Sequence, residues 1–534
     1  MFARLQRLAR QLLVYGLGDV ATSVISFLLL PIYVRYLSPE DYGVIGLLLS
    51  VEVASKIVYR WGVDASFMRL YYDCHDQRDR QRLASTIFFF LLVLNGSLLI
   101  AALALAPAIG TWLFGRAGYE TVLRLVLVNT FIGGFYFIPF HVLRIQGRTP
   151  QFIGLTISRS LSTLVLRLVL VIGFNLGVLG VVMADIIVTA GFTLLLTRWF
   201  APLIRPMLST SVLREALAFG LPRLPHGLAH QVIAVADRYI LTRFVTLREI
   251  GLYSVGATFG LTMKLFLSAF EYAWAPFYFS TMTEPDAKRT FSVVTTYGIA
   301  ILALLVAGLA AVAPDLVRLM TKPEFLPAAE VIPWIGLGVL FQGVYLLTSI
   351  GLNITKQTAF YPVATLCAAA TSVTANLLLV PRFGAQGAAW ANTMAYLVLA
   401  AVGMGLSQRF YPMRYEWNRI VRIALAGTGA FLAARLMFQA PLPAFWGVVS
   451  RGGLVLVLYP LLLIVLGFHD AREVRAVAQL FKRVRRGRPA AAAEDTTELA
   501  GEVVTAPMPD ETEDVADVSP ESDREAAAER TSRT

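Results

Sequence analysis

Two long stretches of this chain contain no charged side chain, and they limit the folds it can adopt. One covers residues 83–115 and the other residues 290–314. A helix needs about 20 apolar residues to cross the hydrocarbon core of a bilayer, so each stretch is long enough to span a membrane. Charged residues make up 15% of the chain, against roughly 25% in an ordinary soluble domain, which is too few to cover a soluble surface. The sequence therefore predicts an all-α polytopic membrane protein.

Two motifs occur twice in the same order, which indicates an internal duplication. Residues 35–43 and 243–251 each form a short polar turn between apolar runs, with an arginine ending one helix and a glycine opening the next, and they lie 208 positions apart. Residues 177–185 and 384–392 share the pattern Gly-x-x-Gly-x-x-x-Ala-Asp/Asn at an offset of 207. A repeat of this kind predicts two pseudo-symmetric lobes of about six helices, a common plan among transporters.

Hydropathy predicts about 14 transmembrane helices. They lie at about 11–36, 42–62, 83–106, 120–141, 152–173, 177–198, 216–241, 250–273, 290–313, 330–352, 360–380, 385–407, 420–438 and 444–467. With the N-terminus inside, most arginines and lysines between the spans fall in inner segments, as the positive-inside rule requires. This distribution favours an even number of spans and two cytoplasmic termini.

The predicted domain organisation follows from the repeat and the spans. We expect an N-terminal six-helix lobe over residues 1–200, a second over 201–408, and two additional transmembrane helices over 409–468. A basic amphipathic cytoplasmic segment would follow over 469–488, suited to an anionic membrane surface. Residues 489–534 are expected to form a disordered acidic tail. From Glu494 the tail carries a charge of −10, so the +11 of the whole chain hides about +21 in the remainder.

Charged residues inside predicted spans mark the candidate site, because each costs about 2.5–3.5 kcal/mol at the bilayer centre. Glu52, Lys56 and Arg60 recur every four residues on one face of the second span, and Lys264 stands with Glu271 in the eighth. Lys264 follows Lys56 by the repeat offset of 208, so the repeat predicts two lysines facing each other across a central cleft. We predict a cationic cavity for an anionic head group. The alternative is that Glu52 and Lys56 merely pair along one helix.

Other intramembrane polar residues complete the candidate set. Arg167, deep in the fifth span, joins Lys56, Arg60 and Lys264 as a predicted substrate-binding residue. Asp19, His230 and Glu271 are the candidates for coupling or gating. His226 and His230 are four residues apart in a proline-containing seventh span, an arrangement open to a metal, a pH-sensitive or hydrogen-bonding role, or plain packing. Asp237 and Arg238 are expected near the outer end of that span, as caps.

Several function classes lack their signature in this sequence. There is no phosphate-binding loop, nucleophile elbow or H-E-x-x-H helix, and the predicted loops are too short for a catalytic domain. Two histidines are too few for a convincing zinc site, and the isolated Cys74 and Cys367 fit no metal or disulfide framework. We therefore predict no enzyme activity, no cofactor and no metal. Nucleic-acid binding is excluded because the arginines flank membrane spans rather than form a basic patch with aromatics on a soluble domain.

Three segments resemble the polysaccharide flippases, the O-antigen and exopolysaccharide branch of the multidrug/oligosaccharidyl-lipid/polysaccharide exporter superfamily. They are residues 30–43 (Leu-Pro-Ile-Tyr-Val-Arg-Tyr-Leu-Ser-Pro-Glu-Asp-Tyr-Gly), residues 237–241 running into 250–253, and residues 384–392. The resemblance covers about residues 10–470. It implies two six-helix lobes around a central cavity, plus two further helices. It also implies alternating access that moves undecaprenyl-pyrophosphate-linked sugars across the bacterial cytoplasmic membrane.

The resemblance also implies roles for particular residues. In the related peptidoglycan-precursor flippases, cations on the first, second and eighth helices line the cavity. Lys56 or Arg60 and Lys264 match the second and eighth helices, whereas the first offers Asp19, which weakens the case for a peptidoglycan precursor as cargo.

These observations together predict a flippase for a lipid-linked oligosaccharide in cell-surface polysaccharide synthesis. Its partners would be this substrate, membrane lipids, and the polymerase and glycosyltransferases of the pathway. The alternatives are a multidrug/cation antiporter of the same superfamily, for which an acidic cavity would be expected, and a non-transporting scaffold that recruits partners through its tail. The short outer loops argue against a polymerase or ligase.

Overall fold

The structure is a computed structural model that describes residues 30–221, 224–437 and 442–468. Within these ranges the regular elements are helices and no strand occurs. Asp19, the predicted amphipathic segment 469–488 and the acidic tail 489–534 lie outside the described residues. The helices in chain order are α1 (residues 30–36), α2 (Pro39–Arg60), α3 (Val63–Asp73), α4 (Gln77–Phe114), α5 (Glu120–Gly133), α6 (Phe137–Ile145), α7 (Thr149–Leu168, continued by a π-helical turn, Val169–Gly173), α8 (Gly177–Phe200), α9 (Thr210–Gly220), α10 (Leu224–Phe244), α11 (Leu247–Leu261), α12 (Lys264–Thr281), α13 (Ala287–Met320), α14 (Ile332–Thr348), α15 (Ile350–Ile354), α16 (Tyr361–Phe410), α17 (Trp417–Met437) and α18 (Ala444–Val465).

Many of these helices have the dimensions of membrane spans. Among the described residues, ten helical segments are long and apolar enough to cross a bilayer, and α11 with α12 makes eleven if this pair, bent by about 40°, is one span. The predicted fold class, an all-α polytopic membrane protein, is therefore confirmed. The count of fourteen is consistent with this set and stays a prediction, because most of the first span lies outside the described residues. The lobe boundaries at residues 200 and 408 likewise stay predictions.

The longest helix, α16, consists of two spans in sequence. Its 50 residues would extend about 75 Å at about 1.5 Å per residue, far beyond the bilayer core. Gly384 interrupts it with φ 53° and ψ −131°, a backbone conformation that favours glycine. Gly177, its counterpart in the first copy of the repeat, also has φ 53° and opens α8. The repeated motif therefore starts a new span in both copies.

Helices α2 and α11 cross where the two copies of the other motif meet. A Cβ atom built on Gly43 would overlap the carbonyl oxygen of Leu247, and one built on Gly251 would overlap that of Pro39. The contact is reciprocal, because Leu247 and Gly251 follow Pro39 and Gly43 by 208 positions. Gly46 and Ser254, another equivalent pair, also touch. The duplication read from the sequence is thus a local twofold relation in space.

The glycines of this motif do not open their helices as expected. Each lies one turn inside, at the crossing, and the helix starts are set by capping residues instead. Ser38 Oγ accepts a hydrogen bond from the Asp41 N–H at 3.2 Å, and the Asp41 carboxylate accepts from the Ser38 N–H at 2.9 Å, which forms a capping box for α2. Thr246 Oγ1 caps α11 by accepting a hydrogen bond from the Glu249 N–H at 3.3 Å.

One apolar cluster joins helices from both copies of the repeat. It contains Leu47 and Leu48 of α2, Leu123 of α5, Tyr253 of α11 and Ala388 of α16. A second cluster unites α12, α13 and α14 with α17 and α18. There the buried Asp315 of α13 forms an ion pair with Arg451 of α18 and touches the backbone position of Gly447. This ion pair fixes the last helix to α13.

We predict that Gly43→Ala destabilises the protein through the α2–α11 crossing. The added methyl group meets backbone atoms of α11, which cannot rotate away, so the expected cost is about 1–3 kcal/mol. The measurement is the loss of the monodisperse peak in size-exclusion chromatography after heating in detergent. Gly191→Ala in α8 is the matched control, because a Cβ there meets nothing within 4 Å and helix propensity favours alanine. Equal melting temperatures for the two variants would contradict the assignment.

Candidate functional site

Lys56 forms an ion pair with Glu52 on α2. Its Nζ lies 2.5 Å from Glu52 Oε1, one helical turn earlier. The lysine side chain remains 47% exposed, whereas that of Glu52 is 19% exposed. The alternative, pairing of Glu52 with Lys56 along one helix, is therefore present, and it leaves about half of the lysine side chain exposed.

Arg60 lies at a break between α2 and α3. Trp61 and Gly62 both have positive φ, at 49° and 71°, and Arg60 reaches across the break to Asp64 at 3.4 Å. Asn95 of α4 stabilises the break: its Nδ2 donates to the Tyr59 carbonyl at 2.8 Å and its Oδ1 accepts from Trp61 Nε1 at 3.0 Å. The sequence analysis did not single out Asn95. The only sequence signal was one amide within an otherwise uncharged, apolar stretch.

Arg167 is neutralised by a carboxylate of the neighbouring span. Its Nε donates to Asp185 Oδ1 at 2.8 Å and its terminal nitrogen to Oδ2 at 2.6 Å, a bidentate pair between α7 and α8. Both side chains are less than one quarter exposed. This arrangement connects the two helices firmly and makes Arg167 less available to an external anion than Lys56.

Lys264 has a different environment from the other three cations. It is the first residue of α12, directly after the bend, and it is partly buried. Its Nζ lies 6.0 Å from the centre of the Tyr396 ring. Among the described residues it forms no ion pair, and the ionisable groups within electrostatic range include Arg238 and His230. The immediate surroundings of Lys264 are therefore basic and aromatic.

Asp237 is buried in the interior of α10 rather than at a helix end. Its side chain is 4% exposed, and α10 continues for two further turns to Phe244. The hydroxyl of the fully buried Tyr253 donates to Asp237 Oδ2, and Arg238 lies 3.9 Å from the other carboxylate oxygen. The expected capping role is therefore wrong. The carboxylate instead satisfies a buried tyrosine of α11, a partner that sequence spacing does not indicate.

The two described candidates for coupling or gating, His230 and Glu271, lie on different helices. His230 is partly buried in α10 near Lys264, and the neighbouring His226 bonds Thr365 Oγ1 through Nδ1 at 3.1 Å. Glu271 of α12 is exposed and has no hydrogen-bond or ion-pair partner among the described residues. Within the described ranges no group of three or more His, Cys, Asp or Glu side chains is arranged to hold a metal.

The predicted residues therefore form separate local groups. Lys56 pairs with Glu52, and Arg60 pairs with Asp64, within the span formed by α2 and α3. Arg167 pairs with Asp185, and Lys264 lies near His230 and Arg238. In the part of the chain that is described, no hydrogen bond, ion pair or ring contact joins Lys56 to Lys264.

A large apolar groove lies between α13, α14, α16 and α17. Its volume is about 940 Å³. Its lining includes Val306, Leu337, Phe341, Met404 and Phe431. A groove of this size and character fits hydrocarbon chains rather than a polar solute.

Comparison with known proteins gives a family and a fold. The family model described as "Polysaccharide biosynthesis protein" matches residues 32–320, more than half of the chain. No curated protein sequence matches this chain. The lipid II flippase MurJ in an inward closed conformation is similar at a TM-score of 0.69 and 12% identity, over 84% of this chain and 98% of that one. An inward-facing multidrug resistance MATE transporter of the MOP superfamily gives 0.62 and 15%, over 75% and 95%. At these identities the structures establish the transporter fold.

We predict that the Arg167–Asp185 pair is structural. Arg167→Gln or Asp185→Asn alone leaves one partly buried charge uncompensated and should cost about 3–5 kcal/mol, whereas the double variant should recover most of that loss. Thermal unfolding in detergent and polymer export in cells are the measurements. If the double variant is stable but exports as poorly as Arg167→Gln, the arginine acts on the cargo, and the structural assignment fails.

Proposed function

This chain belongs to the polysaccharide biosynthesis protein family, and we propose that it is a flippase that moves a lipid-linked oligosaccharide across the membrane by alternating access. In this proposal the carrier is undecaprenyl pyrophosphate and the membrane is the bacterial cytoplasmic membrane, with both termini inside. Polymerase and glycosyltransferases of cell-surface polysaccharide synthesis would supply or consume the cargo. Neither a chemical reaction nor a cofactor is part of the mechanism.

The main support for the proposal is the environment of Lys264. A partly buried ammonium group without a carboxylate partner among the described residues is costly, and an anionic ligand lowers that cost by pairing with it. A pyrophosphate offers several acceptor oxygens and two negative charges or more. Lys56, the equivalent residue of the other repeat, has a side chain that is about half exposed beside Glu52, and we expect it to exchange that carboxylate for a phosphate. Both lysines are point charges that accept ligands from a range of directions.

The apolar groove supports the lipid half of the proposed cargo. A polyprenyl chain must remain in an apolar environment while its head group crosses, since each exposed methylene costs about 0.8 kcal/mol. The groove between α13, α14, α16 and α17 supplies such a surface within the bundle. A path for the tail separate from the cation that holds the head group suits an amphiphile better than a compact solute.

A cation antiporter, the rival within the same superfamily, has less support. The groups around Lys264 are basic, and the buried carboxylate nearby, Asp237, is already bound by Tyr253 and flanked by Arg238. A cationic drug would meet repulsion there instead of a counter-charge.

We predict that Lys56→Gln combined with Lys264→Gln reduces polymer export at least about tenfold, because two charge-assisted contacts to the cargo are lost. Export and the amount of lipid-linked sugar on the inner leaflet would be measured in cells at equal protein level. Lys322→Gln, which removes an exposed lysine after α13, is the matched control and should export normally. Unchanged export by the double variant would remove the central claim.

Alternating access predicts that the α2–α11 crossing must open during transport. The Cβ position of Gly46 lies 3.1 Å from Ser254 Cβ, close to the roughly 3.5–4.5 Å of disulfides. In a background with Cys74 and Cys367 replaced by serine, Gly46→Cys with Ser254→Cys should crosslink and stop export, and reductant should restore it. Each single cysteine is the control. Full activity of the crosslinked protein would rule out opening at this crossing.

A further inference from the structure

A second cavity, which is polar, lies at one end of the first repeat, and Lys264 is not among its lining residues. It has a volume of about 390 Å³ and is formed where the C-terminal ends of α3, α6 and α8 meet the first turns of α4 and α7. Its polar and aromatic lining includes Tyr71, Arg80, Gln146, Arg148, Gln151 and Trp199. No acidic side chain lines it.

The two arginines of the cavity have unused hydrogen-bonding capacity. Neither Arg80 nor Arg148 forms an ion pair among the described residues, and the Nε of Arg80 is buried without a hydrogen-bond partner there. The Arg80 guanidinium lies over the ring of the buried Tyr71, 5.4 Å from its centre, which limits its freedom to turn elsewhere. A buried donor without an acceptor is costly, so a ligand that supplies one is favoured.

The position of the cavity matches the head-group layer of a bilayer. It lies at the ends of the membrane-length helices α4, α7 and α8 rather than midway along them. Trp199, half exposed at the rim, is of the type enriched at membrane–water interfaces. Further arginines, Arg78, Arg82 and Arg198, stand within one turn of lining residues. Asp73, Asp76 and Asp79 also stand at this end, but with Arg80 and Arg148 the five arginines outnumber them. The same end of the helices therefore carries an excess of positive charge, as expected of a face turned toward an anionic leaflet.

We propose that this cavity binds the phosphate group of an anionic membrane lipid. Guanidinium groups recognise phosphate through paired N–H donors, and the glutamine amides beside them suit the hydroxyl or ester oxygens of a head group. The volume falls within the range of about 300–1,000 Å³ typical of small-molecule sites. A soluble phosphate compound shares this chemistry, so the test below separates the two sources. The site lies outside the proposed cargo path and does not depend on Lys264.

The test uses the purified full-length protein in detergent with Arg80→Gln and Arg148→Gln combined. The probes are phosphatidylglycerol, phosphatidylcholine, inorganic phosphate and a nucleoside diphosphate sugar, each read by thermal stabilisation and by ligand retention in native mass spectrometry. Arg78→Gln with Arg82→Gln is the matched control, because it removes two arginines from the same helix turn that do not line the cavity. Arg80→Lys with Arg148→Lys keeps the charge and guards against a folding defect in the glutamine variant.

We expect phosphatidylglycerol to stabilise the wild-type and control proteins and to bind the glutamine variant about tenfold or more weakly. Phosphatidylcholine should bind weakly to every variant. If inorganic phosphate or the nucleotide sugar binds the wild type to saturation and does not bind the glutamine variant, the cavity is a phosphate site for a soluble ligand. That result would contradict the lipid proposal. Equal lipid binding by the wild type and by the glutamine and lysine variants of Arg80 and Arg148 would contradict the existence of the site.

Discussion

The close approach of α2 and α11 is the constraint on which the packing of this conformation depends. Within a bilayer, apolar side chains gain little by contacting each other instead of lipid, so helices associate through close packing and polar contacts. Gly43 and Gly251 allow backbone to meet backbone at this crossing, and equivalent residues of the two repeats supply both sides of it. A contact between two copies of one motif is self-complementary, because each copy presents the same surface to the other, as in a twofold dimer. The cluster around Leu47 and Tyr253 then extends from this crossing to α5, α8 and α16.

Local neutralisation explains how so many charges are tolerated in this bundle. Four of the ion pairs within the described residues join neighbours on one helix or on adjacent spans: Glu52–Lys56, Arg60–Asp64, Arg167–Asp185 and Asp315–Arg451. Pairing offsets part of the cost of placing a charge in a membrane, which reaches about 2.5–3.5 kcal/mol at the bilayer centre, and it also fixes helix positions. Lys264 stands apart because it forms no ion pair among the described residues, and the carboxylate beside Arg238, Asp237, is already bonded to Tyr253. A cation retained without a local counter-charge needs a reason other than stability, and an anionic cargo is such a reason.

The sequence predicted the fold class and the repeat because both depend on local pattern: uncharged runs, and motifs at a constant offset. It also indicated the individual charges, since a charged residue inside an apolar run is visible without a structure. The partners of these charges are harder to predict from sequence, because the pairing of Arg167 with Asp185 depends on the relative rotation of two helices. The break at Trp61 and Gly62 was missed because nothing nearby reveals that Asn95, 34 positions later, will satisfy it. Asp237 was misplaced for the same reason, since its partner Tyr253 lies beyond a turn.

The two repeats share a scaffold but differ in the parts that could move. The Arg167–Asp185 pair has Thr374 and Asn392 at the corresponding positions, so the second copy lacks this ionic connection between adjacent spans. The second copy is also bent by about 40° immediately before Lys264, whereas α2 continues through Lys56 to Arg60 without interruption. The first copy also breaks, at Trp61 and Gly62, but five residues beyond Lys56. In the second copy the bend lies directly beside a cation that has no ion-pair partner among the described residues, so a ligand that binds Lys264 would act directly on the orientation of α12.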